Sequence, residues 1–426
     1  MDQKWIRYLD QIALEKRNER TPIPYHFRYI NICLDFGRGS VLLVATTTLS
    51  QHANVDFLTC PETRLPLRAL ELATAESALG GSLIAARASE QFTEQQVPFG
   101  PTAQVMVRAD NRCAYPIVNG VPVLLVPEML IASTNPHGMP RSFDLSDPRY
   151  AEAYEEMAFY NQVAEKQAGD IEHSEIAKTR APLIGISDAE RATFPQPAEK
   201  WLDAPYDAQA QMDGYLHIAP IAGKRVLQVG GSGSHAVKLL VAGAAEAWLI
   251  TPMHGETSVA LALARLHGVE AGMRCVVGVA EQIPFADSTF DALFSGGCMH
   301  HTVTDVALPE CARVLRPGGK FAAFEPWKAP LYSIGTRIFG KRETEVYCKP
   351  FTQARANPLF TTFSNAQMVH HGAFTRYPLL AMSKLGIRLQ LPTIYGIVHA
   401  DDVVTSKVIP PLRKWGSSIS LLGTRS

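Results

Sequence analysis

Two adjacent histidines, His300 and His301, are the side chains best suited to move a proton near neutral pH, because an unperturbed imidazole titrates around 6.5. They follow the apolar run Asp291-Ala292-Leu293-Phe294 and precede a second one, Lys320-Phe321-Ala322-Ala323-Phe324, which ends on Glu325. A carboxylate there can orient an acceptor or hold a cationic group, and as a strand-end residue it can equally be structural. Upstream, Gly230-Gly231-Ser232-Gly233-Ser234 separates a strand-like run from a helix-like one. Glycines at such a turn let the backbone approach a ligand, and the helix that follows presents unpaired N–H groups. Cys298 lies beside Gly296 and Gly297, where a small buried residue is the ordinary reading and a covalent role the sharper one. His370 and His371 are neighbours, so on a strand they face opposite sides, which argues against a shared metal. The chain has no His-Glu-x-x-His, no phosphate-binding Gly-Lys-Ser loop and no Gly-x-Ser-x-Gly elbow, so hydrolase, kinase and metalloenzyme readings lack support.

The elements that must position these residues read as α/β. Arg225–Val229 is a buried-strand run, His235–Ala242 a helix and Ala247–Ile250 the next strand, which together make a right-handed βαβ unit in a parallel sheet. Strands follow at Arg274–Val279, Phe290–Ser295 and Gly319–Glu325, the last after the turn Arg316-Pro317-Gly318-Gly319. Gln367–Gly372 and Ser418–Gly423 read as a terminal antiparallel pair, so five parallel strands become seven. Ahead of this domain, assigned to 216–426, three regions stand apart: an extension at 1–54, a β-rich stretch at 55–130, and a helical stretch at 131–215. Within the last, Asp144–Asn161 reads as a helix with Tyr150, Tyr154, Met157 and Tyr160 at helical spacing, ordinarily an amphipathic core stripe.

Composition narrows the partners. Lys and Arg number 40 against 41 Asp and Glu, a net charge of −1 over 426 residues, which speaks against a nucleic-acid binder held by a general positive field. Charged residues make up only 19%, below the roughly 25% of typical domains, which points to a large core, a partner or an apolar pocket. No run approaches the ~18 apolar residues of a membrane helix, and Met1-Asp2-Gln3-Lys4-Trp5 opens no apolar signal core. A cytoplasmic protein is therefore expected, with a small molecule as partner and neither nucleic acid nor membrane; homo-oligomerisation is left open. The seven cysteines (Cys33, Cys60, Cys113, Cys275, Cys298, Cys311, Cys348) form no Cys-x-x-Cys pair and read as free thiols.

Three segments resemble one known family. Ala280-Glu281-Gln282-Ile283-Pro284-Phe285-Ala286-Asp287-Ser288-Thr289-Phe290-Asp291, then Met299-His300-His301, then Ala312-Arg313-Val314-Leu315-Arg316-Pro317-Gly318-Gly319 are similar, in order and spacing, to class I methyltransferases that use S-adenosylmethionine (SAM). The resemblance covers about Tyr206–Phe324 well and the rest of the C-terminal part loosely. It implies a Rossmann-like seven-stranded sheet with SAM across the carboxyl ends of its first strands. Gly230, Gly231, Ser232 and Gly233 would line the methionine and ribose side. Val279, Ala280, Glu281 and Ile283 would border the adenine. Ser295, Gly296 and Gly297 would lie near the sulfonium, and Glu325 and Trp327 would face the substrate. The helices before the first strand, with Tyr154 and Tyr160, would lid the site, and Tyr332 in the apolar segment Ala329–Phe339 points to a largely apolar acceptor. A histidine pair at this place is read first as packing or loop-orienting residues; the sharper reading makes one of His300 and His301 a general base near the methyl acceptor.

Three positions depart from the family pattern. The acid that usually ends the first strand is Gln228, the ribose-holding acid after the second strand is Thr251, and the adenine-amino acceptor is Val279. Each lost charged hydrogen bond weakens cofactor binding by roughly 1.5–3 kcal/mol. Gln228 and Thr251 can still hydrogen-bond, and Glu256 can reach the ribose, although its ordinary reading is a solvated first-turn residue. Two functions follow: transfer of a SAM methyl to an oxygen, nitrogen or carbon of a small molecule, or a methyltransferase-like scaffold acting as a binding partner or a repurposed non-methylating catalyst.

The β-rich stretch resembles a second family. Phe57-Leu58-Thr59-Cys60-Pro61 and Tyr115-Pro116-Ile117-Val118-Asn119-Gly120-Val121-Pro122-Val123-Leu124-Leu125 look like the small zinc-ribbon-like domain that accompanies some methyltransferases. Of its four ligand places only Cys60 is kept; Thr63, Arg108 and Asn111 occupy the others and Cys113 is off register, so no zinc is expected. The module is then held by its apolar core, and its role is structural or shapes the substrate entrance.

Overall fold

The computed structural model describes residues 56–71, 74–75, 104–112, 114–124, 160, 163–171, 207–330, 332, 350–387, 389 and 391–426. The extension 1–54, the helix 144–161 apart from Tyr160, and most of 329–339 lie outside these residues.

A first sheet is antiparallel throughout, in the order β1 (Leu67–Glu71), β2 (Gln104–Arg108), β3 (Ala114–Val118), β4 (Val121–Pro122). Asn119-Gly120 joins β3 to β4 with both residues at positive φ, the left-handed pair that a tight hairpin requires. Cys60 is fully buried beneath this sheet. Its sulfur lies 3.1 Å from the Tyr115 hydroxyl, accepts the Thr63 N–H at 3.4 Å and meets the Arg108 guanidinium at 3.9 Å. Thr63 and Arg108, which stand where two ligands of the resembled ribbon would be, thus hydrogen-bond to the remaining thiol. Burial pushes that thiol's pKa up, but the bonds from Thr63 and Tyr115 outweigh it and hold the pKa below the usual value.

The main sheet has seven strands: β5 (Arg225–Val229), β6 (Glu246–Thr251), β7 (Met273–Val277), β8 (Phe290–Gly296), β9 (Leu315–Pro326), β10 (Ser364–His371) and β11 (Ser418–Thr424). Their spatial order is β10-β11-β9-β8-β5-β6-β7. β7, β6, β5, β8 and β9 run parallel, and β11 is antiparallel to both β9 and β10, as the sequence pattern predicts. From β5 the chain moves outward to β6 and β7, then returns to the other side of β5 at β8. The reversal leaves a crevice at the carboxyl ends of β5 and β8, where α/β sheets bind ligands.

Both faces of the sheet are covered, which is why its parallel strands are mostly apolar rather than alternating. On one face α1 (Ala208–Ile218), α2 (Ser234–Val241) and α3 (His254–Leu266) pack on Val226, Leu249, Ala292 and Ala322. Gly214 lets α1 settle on β8, since a Cβ there would stand 2.8 Å from the Phe294 ring. On the other face α4 (Thr304–Val314) and α5 (Gln353–Thr362) share a core with Leu227, Trp248, Leu293 and Phe321, and the small sheet joins that core through Leu58, Cys60, Met106 and Tyr115. Its chain also extends the main sheet: Val123 bridges Val277 in parallel, and Leu124 N–H donates to the Val277 carbonyl at 2.7 Å.

Between β10 and β11 the chain forms α6 (Arg376–Lys384) and α7 (Leu391–Lys407). His371 ties this insertion down. Its Nδ1 lies 2.6 Å from the Asp402 carboxylate, and its Nε2 lies 3.0 Å from Asp213 on α1 and 2.9 Å from the Ser420 hydroxyl. Burial opposes the charge, but the two carboxylates outweigh it and raise the imidazole to about 9. His370 faces the other way, edge-on to Trp327 at 4.8 Å, and burial lowers it to about 4. Both histidines are thus structural and point to opposite faces.

Candidate functional site

The glycine turn after β5 is built from left-handed backbone. Gly230, Gly231 and Gly233 have φ of 72°, 76° and 78°, where a side chain would be strained. Space forbids one as well: a Cβ on Gly230 would lie 2.6 Å from Cys298 Cβ, and one on Gly233 2.3 Å from Ala260 Cβ. Gln228 fastens the turn from beneath. Its side-chain carbonyl accepts the Ala236 N–H of α2 at 2.7 Å, and its NH2 donates to the Gly230 carbonyl at 2.7 Å. A carboxylate could do the first but not the second. The amide that replaces the family's acid therefore closes the turn on itself.

At the end of β6 a second substitution is explained by a partner on the next helix. Thr251 donates its hydroxyl to Glu256 in a short hydrogen bond. Glu256 lies in the first turn of α3, where the helix dipole favours a negative charge. It is only 8% exposed, and burial pushes its carboxyl up to about 7 against the opposing Thr251 bond. The solvated first-turn glutamate expected from the sequence is thus corrected: packing closes around it.

After β7 the segment 278–286 is gripped from two sides. Arg313 of α4 donates to the carbonyls of Ile283 (2.8 Å) and Phe285 (2.7 Å). From the small sheet's side, Arg64 donates to the Ile283 carbonyl at 2.9 Å and pairs with Glu310 at 2.7 Å, while Thr59 N–H reaches the Pro284 carbonyl at 3.0 Å and the Phe57 carbonyl accepts the Ala286 N–H at 2.8 Å. Glu281, whose carboxyl burial pushes up, accepts the Val303 N–H at 2.8 Å at the start of α4.

After β8 the backbone turns through Gly297-Cys298 into His300. Glu325, at the end of β9 and 1% exposed, anchors that turn: its carboxylate accepts N–H groups from Cys298 (3.2 Å), Met299 (2.8 Å) and His300 (3.2 Å), and lies 2.8 Å from His300 Nδ1. Ser295 donates its hydroxyl to the Val229 carbonyl at 3.0 Å and stitches β8 to β5. Gly296 is small for His235, because a Cβ there would stand 2.2 Å from its Nε2. His235 in turn hydrogen-bonds the Tyr215 hydroxyl at 2.7 Å.

These elements enclose a cavity of about 290 Å3 at the switch point, walled by residues 229–231, Ile250, residues 252–253, Glu256, residues 278–281, Gly297, Cys298, His301, Thr302 and Tyr160. The structure thus brings together Gly230, Gly231, Val279, Ala280, Glu281, His301 and Tyr160 from the predicted set, with His301 edge-on to Tyr160 at 6.4 Å. Gln228, Ser232, Gly233, Thr251, Ser295, Gly296, His300 and Glu325 stand behind the wall and shape it. Trp327 packs against His370, and Tyr332, whose N–H donates to the Ala329 carbonyl at 2.9 Å, is not in the wall either. Tyr154 lies outside the described residues. Met253 and Pro252 were not singled out from the sequence; their signal is position alone, directly after Thr251.

Part of the chain is similar to known proteins. Residues 227–323 match the family model of a methyltransferase domain. The chain is 35% identical over 122 residues to the ubiquinone/menaquinone biosynthesis C-methyltransferase of Rubrivivax gelatinosus, covering 27% of this chain and 47% of that protein. It is 34% identical over 115 residues to the malonyl-acyl-carrier-protein O-methyltransferase of Methylococcus capsulatus, covering 27% of this chain and 41% of that protein. Among solved structures it is similar to geranyl diphosphate C-methyltransferase from Streptomyces coelicolor, at 15% identity and a TM-score of 0.42, covering 65% of this chain and 98% of that one. The chain spans about half the length, or less, of the curated relatives it matches.

Proposed function

We propose that this chain, whose residues 227–323 match a methyltransferase domain, transfers the methyl group of SAM to a small, largely apolar molecule. The observation that carries the reading is the cavity, in which the bare backbone of Gly230 and Gly231 and the buried carboxylate of Glu256 line one cleft. The residues present suit the cofactor. Glu256 can accept hydrogen bonds from a ribose diol and so stand in for the acid absent at Thr251. Ile250, Pro252 and Val279 offer apolar contact to a purine, and the glycine backbone leaves room for the amino-acid end. SAM supplies a methyl carbon on a positively charged sulfur, ready for in-line displacement.

The chain's own part is placement and proton handling. An acceptor must be held about 3 Å from the methyl carbon. In this reading Tyr160 and His301, which line the cavity, hold it, and His301 takes a proton that must leave. Glu325 acts one step back, fixing the turn that carries both histidines. The match to a protein of quinone biosynthesis supports an apolar acceptor. The reading keeps the division of the chain at about residues 54, 130 and 215, with the small sheet bracing segment 278–286 and without zinc. It places the protein in the cytoplasm, which suits the free thiols of Cys60, Cys275 and Cys311.

One observation favours a second reading, a scaffold that no longer methylates: the Gln228 amide is engaged within the turn, at both its oxygen and its nitrogen. Calorimetric titration with SAM and with S-adenosylhomocysteine separates the two. Micromolar binding of both is expected; no heat at about 500 μM ligand sinks the methyl-transfer reading.

A further inference from the structure

The chain is neutral overall, but its charge is unevenly placed. From Val403 to Ser426 it carries Lys407, Arg413, Lys414 and Arg425 and no acid. The two acids just upstream are buried and engaged. Asp402 holds His371 at 2.6 Å, and Asp401 accepts the N–H groups of Phe374 (2.9 Å) and Thr375 (3.0 Å).

Apolar side chains face solvent at this same end of α7. Val408 is 71% exposed, Trp415 42% and Ile409 38%. Backbone hydrogen bonds carry the chain from the end of α7 through Val408 to Trp415 in successive turns. Val408 and Ile409 N–H groups both donate to the Val404 carbonyl, at 2.8 and 3.1 Å, and Leu412 N–H donates to the Ile409 carbonyl at 3.0 Å as the 3-10 turn Pro410–Trp415 begins.

Large apolar side chains projecting beside cations, with no exposed acid in the segment, complement one kind of surface. An anionic bilayer takes apolar side chains and tryptophan into its interface while its headgroups meet lysine and arginine. An acidic protein face would match the cations but leave the projecting Val408 and Trp415 without an apolar counterpart. We propose that the tip formed by Val408–Trp415 and Lys407 docks the protein peripherally on anionic lipid bilayers. No helix among the described residues is long and apolar enough to cross a membrane, and peripheral docking requires none. The sequence-based expectation of no membrane partner rested on spanning runs alone. This docking does not depend on methyl transfer.

The test is co-sedimentation of the full chain with vesicles of equal parts phosphatidylglycerol and phosphatidylcholine, against vesicles of phosphatidylcholine only. Binding to the first and not the second is expected. Each cation near the surface is worth a factor of about five, so K407E/K414E should weaken partition about 30-fold or more with an unchanged melting temperature. V408S/W415S should also release the protein. Salt makes the same test without substitution, since about 0.5 M NaCl should free the wild-type chain. No sedimentation with anionic vesicles at low salt, or binding indifferent to both salt and charge reversal, overturns the proposal. A dimer in sedimentation equilibrium that V408S/W415S dissolves, without vesicle binding, gives the tip to a second copy and overturns it as well.

Discussion

Replacing Glu256 with glutamine should make the protein more stable and a poorer binder of SAM at once. The carboxyl is buried, and burial raises it from 4.5 to about 7. A raised carboxyl means that the folded state holds its proton more tightly than the unfolded chain. The protein is then most stable where the group is neutral, and it loses stability as pH rises from 4.5 to about 7, with no further loss above that. A shift of that size corresponds to about 3 kcal/mol. Glutamine keeps an oxygen for the Thr251 hydroxyl and never ionises, so most of this is recovered at pH 8. A gain of about 2 kcal/mol there raises the melting temperature by roughly 4–8 °C. The gain should fade as the pH approaches 4.5. The same change removes the charged acceptor for a diol, which weakens SAM binding by about 1.5–3 kcal/mol, or 10- to 150-fold. In the wild type, SAM binding should strengthen as pH rises through 7. Thermal melts and calorimetry at pH 5 and pH 8 read all of this. An E256Q protein that melts no higher at pH 8 and binds SAM as well as wild type would refute the reasoning.

Three further outcomes are expected. His371→Gln should cost about 3 kcal/mol in denaturant unfolding at pH 6; because the imidazole is raised to about 9, that loss should shrink as pH climbs from 6.5 through 9, and a pH-independent loss would contradict the charged network. Arg64→Ala removes the donor to the Ile283 carbonyl and the partner of Glu310, so amide exchange at 283–286 should quicken by about tenfold while β8 and β9 keep their protection; unchanged exchange there would show that the small sheet does not brace the segment. Gln228→Glu restores the family's usual acid but faces the Gly230 carbonyl with no donor, so the ligand-free protein should lose about 1–3 kcal/mol; a melt equal to wild type would show that the amide bond to Gly230 matters little.

The parts of the fold that were legible are those whose burial leaves a local mark. β5 to β9 are covered on both faces, so their central stretches are mostly apolar and stand out. The antiparallel pair β10–β11 was legible from its length and spacing, and the glycine turn from residues that only left-handed backbone requires. The candidate site was legible in part. Gly230, Gly231, Val279, Glu281 and His301 wall the cavity because they follow strand ends at the switch point, which sequence order alone identifies. Glu325 and Ser295 lie within the last residues of their strands, but their side chains turn back into the sheet to fasten backbone, and nothing in the residue types says which way they turn.

What the sequence determined by itself is thus periodic and local: the order of strands and helices, the place of the turn, and the departure of Gln228, Thr251 and Val279 from the acids of the family it resembles. What only the tertiary structure decided is which groups answer those losses. Glu256 reads like any first-turn glutamate until packing shuts out water and leaves it against Thr251 in the cavity wall, where burial raises its carboxyl. Arg64 reads like any surface arginine until a chain 219 residues away places the Ile283 carbonyl within reach. Dielectric environment and long-range contact are properties of the assembled fold, and neither leaves a periodic trace along the chain.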